Sequence, residues 1–169
     1  MAARSTDNQG MTRITMVVLS AVLLVAAFAT PASADITGFF GVSSTPAKHS
    51  GTGFAIGTGL LIVGFEFEYA NLAEDKVNSI PGLKTGMANL LVQTPSKSLQ
   101  FYATTGGGMF SESYRGASTT SFGSNIGGGV KIALAGPFRL RLDYRVYQLK
   151  GTPLYPNPKR FYAGINLSF

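Results

Sequence analysis

The chain has no cysteine, no tryptophan and a single histidine, and only 13% of its 169 residues are charged. Without cysteine there is neither a disulfide framework nor thiolate chemistry. One histidine and no cysteine also leave too few of the usual ligands for a zinc site, and no other cofactor motif is present. The charged share is about half that of an ordinary soluble domain, too little to cover a water-facing surface. Beyond residue 34 no apolar run approaches the ~20 residues of a membrane-spanning helix. The formal net charge is +6. Its basic residues alternate within strand-like segments or stand singly in loops, which is not the clustered footprint of a nucleic-acid binder.

The one long apolar run lies at the start. Arg4 and Arg13 form a basic flank, and Met16 to Ala29 is interrupted only by Ser20. Ala32-Ser33-Ala34 then supplies a small-x-small cleavage pattern before Asp35. The run is short for a permanent anchor. A cleavable secretory signal is therefore expected over residues 1–34, with a single working domain over 35–169. Met11 serves as well as Met1 for a start, because Met11-Thr12-Arg13 is already an adequate basic flank.

The remainder reads in period two. Strands are expected at about 36–44, 52–60, 62–71, 83–93, 99–110, 121–134, 138–149 and 160–169. The third sets Val63, Phe65, Phe67 and Tyr69 against Gly64, Glu66, Glu68 and Ala70. The seventh sets Phe138, Leu140, Leu142, Tyr144 and Val146 against Arg139, Arg141, Asp143, Arg145 and Tyr147. The fourth and fifth alternate poorly, and their faces stay unassigned. Connections at 59–62, 94–97 and 135–137 are tight, whereas 45–51, 72–82, 111–120 and 150–158 are longer and polar. The last strand places Phe161, Ala163, Ile165, Leu167 and Phe169 on one side, and Arg160, Tyr162, Gly164, Asn166 and Ser168 on the other.

That ending resembles the closing strand of small bacterial outer-membrane β-barrels of the OmpA/OmpX-like eight-stranded type. The resemblance implies that Phe161, Ile165, Leu167 and Phe169 form an assembly signal read by the barrel-assembly machinery. The fold class expected is all-β: a closed, antiparallel, eight-stranded transmembrane barrel behind a cleavable signal peptide. Segments of about ten alternating residues, with short turns on one side and long loops on the other, fit that architecture. An even strand count puts both termini on the periplasmic side. The face that meets lipid follows from size. Eight strands leave a bore just wide enough for side chains, so the Phe, Tyr, Leu, Ile and Val face belongs outside. The Gly-, Ala- and Ser-rich face belongs inside.

Glu66, Glu68, Lys131, Arg139, Arg141, Asp143 and Arg145 fall on the inward side. Strands three and seven are four apart in a ring of eight, hence opposite, so their acids and bases can meet across the bore. Near-cancelling charge there reads as a plug, with a gate or small ion path as the alternative. His49 reads as a solvated loop histidine: Ser50 beside it points the other way, which spoils a base–nucleophile pair. The glycine triplets 106–108 and 127–129 lack the Lys-Ser/Thr of a phosphate loop and mark bulges or close backbone approach. Asn166-Leu167-Ser168 matches a glycosylation sequon but lies in a strand.

The expected role is a non-enzymatic, integral outer-membrane protein of the Gram-negative cell envelope. It acts structurally or through long extracellular loops, with no catalytic, cofactor or metal site. A narrow, porin-like, low-conductance channel is the alternative, and a lipid A-modifying enzyme the second alternative. Expected partners are outer-membrane lipid, lipopolysaccharide and the assembly machinery, with the protein a monomer.

Overall fold

The structure, a computed structural model, describes residues 33–45 and 47–169. Among the described residues, eight strands form one closed barrel in chain order. They are β1 (Ser33–Ser43), β2 (His49–Leu60), β3 (Val63–Leu72), β4 (Gly82–Gln93), β5 (Leu99–Tyr114), β6 (Ala117–Ala133), β7 (Phe138–Leu149) and β8 (Lys159–Ser168). Every neighbouring pair is antiparallel, and β8 closes the ring on β1. Most of the expected signal segment lies outside the described residues. β1 begins at Ser33, before the expected cleavage point at Ala34, and Ala34 exchanges backbone hydrogen bonds with Phe169.

The registers run without a skipped residue, so no strand carries a bulge among the described residues. A path of cross-strand partners leads from Ser33 through Gly59, Gly64, Leu91, Thr104, Gly127, Arg145 and Arg160. It returns to β1 at Ser43, ten residues further along. A shear of that size in an eight-strand ring tilts the strands about 40° from the barrel axis. On β7 the outward apolar residues run from Phe138 to Val146. At about 3.3 Å per residue and that tilt they cover roughly 20 Å of height, close to the apolar band of a membrane barrel.

Burial alternates as the pleat requires. On β3, Val63, Phe65, Phe67 and Tyr69 are exposed while Gly64, Glu66, Glu68 and Ala70 are buried. Around the ring Ile36, Phe40, Phe54, Ile56, Leu90, Val92, Phe101, Phe122, Ile126, Phe138, Tyr144, Phe161 and Ile165 all stand outward and exposed. A soluble protein rarely exposes an apolar patch of more than a few hundred Å², and here the outer wall is largely apolar. The structure also assigns the strands that alternate poorly in sequence. Thr85, Met87, Asn89 and Leu91 of β4, and Gln100, Tyr102, Thr104 and Phe110 of β5, are buried.

Inward glycines let aromatic rings lie flat across the neighbouring strand. A Cβ on Gly164 would stand 2.7 Å from the Phe39 Cβ, and one on Gly129 would stand 2.7 Å from Tyr102 Cζ. Of the two roles expected of the glycines, close approach is therefore the one they fill.

Two connections differ from expectation. Residues 111–120 are mostly strand, because β5 and β6 run to a two-residue turn at Arg115-Gly116, with φ of 50° and 83°. Positive φ at both positions is the mark of a type I′ hairpin. This ribbon rises above the apolar band, so it has no greasy face to betray it. Residues 49–51 likewise belong to β2. The opposite end turns at Leu61-Ile62, where Leu61 takes a φ of 48° that costs a branched side chain roughly 1 kcal/mol.

Candidate functional site: the filled barrel interior

The bore is packed with charge. Opposite strands β3 and β7 bring Glu66 against Arg141 and Arg145, with Arg145 Nη2 2.8 Å from Glu66 Oε1. Arg145 Nε donates to Asp143 Oδ1 at 2.9 Å, and Arg145 Nη1 is 3.2 Å from Glu68 Oε2. Arg160 of β8 pairs with Glu68, and Lys131 of β6 pairs with Asp35 of β1. Glu68, Arg141 and Arg145 are 0% exposed, and Glu66 is 4% exposed.

The aromatic residues complete the set. Tyr102 OH accepts from Arg141 Nε at 2.7 Å and donates to Asp143 Oδ2. Tyr147 OH donates to Glu68 Oε1 at 3.2 Å. Phe39 and Tyr162 stack with centroids 4.1 Å apart, and the Arg160 guanidinium lies 5.3 Å from each ring centroid. Thr37 Oγ1 receives Asn166 Nδ2 at 2.8 Å. Four carboxylates (Asp35, Glu66, Glu68, Asp143) thus meet four cations (Lys131, Arg141, Arg145, Arg160). Neutrality is what a low-dielectric interior demands, because an unpaired ion there costs several kcal/mol.

Of the seven inward charges named from sequence, Glu66, Glu68, Lys131, Arg141, Asp143 and Arg145 lie in this network. Arg139 does not. It is half-buried at the short-turn end of β7, with one hydrogen bond to Gln100 Oε1 at 3.5 Å. Asp35 and Arg160 are the members that sequence reading missed. Arg160 already stood on the polar side of the last strand, beside Tyr162, Gly164 and Asn166. The alternation carried its direction; which acid it reaches depends on the shear.

Phe161, Ile165 and Phe169 stand exposed on the outer wall, and Leu167 half so. His49 differs from the solvated loop residue expected. It opens β2 opposite Ser43, is half-buried, and its Nε2 is buried without a hydrogen-bond partner. It lines a small pocket at the loop end with Leu72, Ile80, Leu83, Glu112 and Tyr155. The loops there are knit down: Glu74 Oε1 accepts from Arg115 N and Glu112 Oε2 from Leu154 N, each at 2.8 Å.

No protein-family model matches the chain, and no curated protein matches it. Solved structures do. The N-terminal β-barrel domain of Pseudomonas aeruginosa OprF aligns with a TM-score of 0.61 at 16% identity, covering 81% of this chain and 97% of that one. Neisserial surface protein A aligns with a TM-score of 0.55 at 19% identity, covering 82% and 96%. Ail, the attachment invasion locus protein of Yersinia pestis, gives 0.51 at 14%, covering 82% and 98%. The chain has the fold of small eight-stranded outer-membrane β-barrels.

Proposed function

We propose that this chain is a non-enzymatic, integral outer-membrane barrel whose bore is plugged and whose working surface is its loop end. The observation that carries the reading is the pairing of an apolar outer wall with a buried, charge-neutral interior. The wall suits hydrocarbon. In hydrocarbon each unpaired N–H or C=O of an open sheet edge would cost several kcal/mol, which full closure avoids. The interior leaves the bore occupied by Arg141, Arg145, Tyr162 and Glu68, all fully buried. The basic-flanked segment at residues 1–34 fits export from a Gram-negative cytoplasm. The outward Phe161, Ile165, Leu167 and Phe169 fit recognition by the barrel-assembly machinery, with the protein a monomer.

One observation favours a second reading, a narrow water-lined path. Thr85 Oγ1, Asn89 Nδ2, Thr104 Oγ1 and Asn125 Oδ1 are buried on the β4–β6 wall without hydrogen-bond partners. They leave that wall less firmly held than the charged side, and water reaches them only when the bore opens there. The test is conductance of refolded protein in a planar bilayer, set beside a lipid A mass spectrum with and without expression. The plugged reading expects no discrete opening and an unchanged spectrum. Stable single-channel steps would replace the plug with the narrow channel, and a new lipid A mass would replace both with an enzyme.

A further inference from the structure

We propose that the loop end carries a collar for the phosphate groups of an outer-leaflet glycolipid, with Lys84 and Lys159 as its lipid-facing contacts. The inference rests on the membrane reading above. Its first support is a charge imbalance between the two ends. Lys48, Lys76, Lys84, Arg115, Lys150 and Lys159 are all exposed at the loop end. None has an ion-pair partner among the described residues, where every ion pair lies inside the bore.

The acids of that end are already engaged. Asp75 accepts from Val77 N, Asn78 N and Asn78 Nδ2, while Glu74 and Glu112 accept from Arg115 N and Leu154 N. The short-turn end, by contrast, offers Lys97 and the half-buried Arg139, since Lys131 is taken by Asp35.

The second support is where two of these lysines point. Lys84 shares the outward face of β4 with Leu90 and Val92, and Lys159 that of β8 with Phe161 and Ile165. A ladder of partners, Thr52, Asn71, Lys84, Ser111 and Thr120, crosses five strands as an outward polar row. Two residues below it on four of those strands stand Phe54, Tyr69, Met109 and Phe122, all exposed. Apolar wall gives way to polar wall across this row, which climbs about 3 Å per strand with the strand tilt, and Lys84 at its middle stands where hydrocarbon gives way to headgroups. A lysine pointing outward there lays its methylene stem along the wall and lifts its ammonium to headgroup level. That places it beside lipid phosphate rather than toward a solute above the loops.

The test uses the folded full chain in detergent, with bound lipid counted by native mass spectrometry. The probes are lipid A bearing two phosphates, one, or none. Binding should fall in that order. Lys84→Gln with Lys159→Gln should weaken diphosphorylated lipid A about fivefold per lysine, the Lys→Arg pair should retain it, and Lys97→Gln should leave it unchanged. Equal binding of phosphate-free lipid A, or no effect of the double variant, would overturn the collar. So would competition by soluble polyphosphate that depends on Lys76 and Arg115 but not on Lys84 and Lys159. Faster gel mobility unboiled than boiled reports the barrel separately. A protein that shows the shift yet ignores phosphate loses the collar alone, and one that stays soluble without a shift loses both.

Discussion

Glu66 sits at the crossing of the β3 and β7 charges, and its loss should be felt strongly. Three guanidinium nitrogens converge on its carboxylate: Nη1 and Nη2 of Arg141 and Nη2 of Arg145. Glu66→Gln keeps the volume and removes the charge, leaving four cations against three carboxylates in a sealed space. Breaking one side of a buried ion pair costs roughly 3–5 kcal/mol, against about 0–1 for an exposed pair. With a urea slope of about 2 kcal/mol per molar, the unfolding midpoint in lipid vesicles should drop by about 2 M. Glu74→Gln, which touches only an exposed backbone N–H, should move it by less than about 0.5 M. Joining Glu66→Gln to Arg141→Gln should recover part of the loss, because both partners leave together. The double-mutant cycle should then show a coupling of at least about 2 kcal/mol. A coupling near zero would mean that these charges do not hold one another and that the plug is not electrostatic.

Leu61 turns at positive φ without glycine's freedom, so Leu61→Asn should raise the same midpoint by the equivalent of about 1 kcal/mol; a fall would show that its outward side chain matters more than its backbone. Phe169→Ser should lower outer-membrane yield well below that of Ser168→Ala, and equal yields would make the terminal pattern incidental. The Asp75 carboxyl is held below its ordinary range, first by the Asn78 side chain and then by backbone N–H groups of Asn78 and Val77. Because the depressed group is charged in the ordered loop, its contribution is intact above the ordinary carboxylate range near 4 and fades as pH falls below it. The protection of the Val77 and Asn78 amides, taken as exchange relative to the intrinsic rate at each pH, should therefore weaken as pH falls below about 4, and Asp75→Asn should remove that dependence.

The strands that could be read from sequence are those with one greasy face. β7 is found at Phe138–Leu149 and β3 at Val63–Leu72, within a residue or so of the alternation that marks them. β4 hid its faces because Leu90, Leu91 and Val92 are consecutive, with Leu91 buried and the other two outward. The upper β5–β6 ribbon hid because Ser, Thr and Glu on both sides of a wet hairpin look like loop. Opposition of β3 and β7 needed only a count of eight, so the Glu–Arg meeting could be reasoned out. Membership of Asp35 and Arg160, and the absence of Arg139, could not. They depend on the ten-residue shear, which lifts one strand against the next and leaves no mark in residue order. His49 escaped for a related reason: Lys48, Ser50 and Gly51 around it carry no apolar pattern to place it at a strand end.

The absence of cysteine makes the central claim directly measurable, since each introduced thiol is the sole label site. Single cysteines from Val63 to Ala70 would carry a fluorophore and be read against a lipid-dissolved quencher in vesicles. An apolar wall in contact with lipid predicts quenching at Val63, Phe65, Phe67 and Tyr69, and little at Gly64, Glu66, Glu68 and Ala70. Quenching at the even positions, or none at any, would contradict a barrel that turns its apolar face to the membrane.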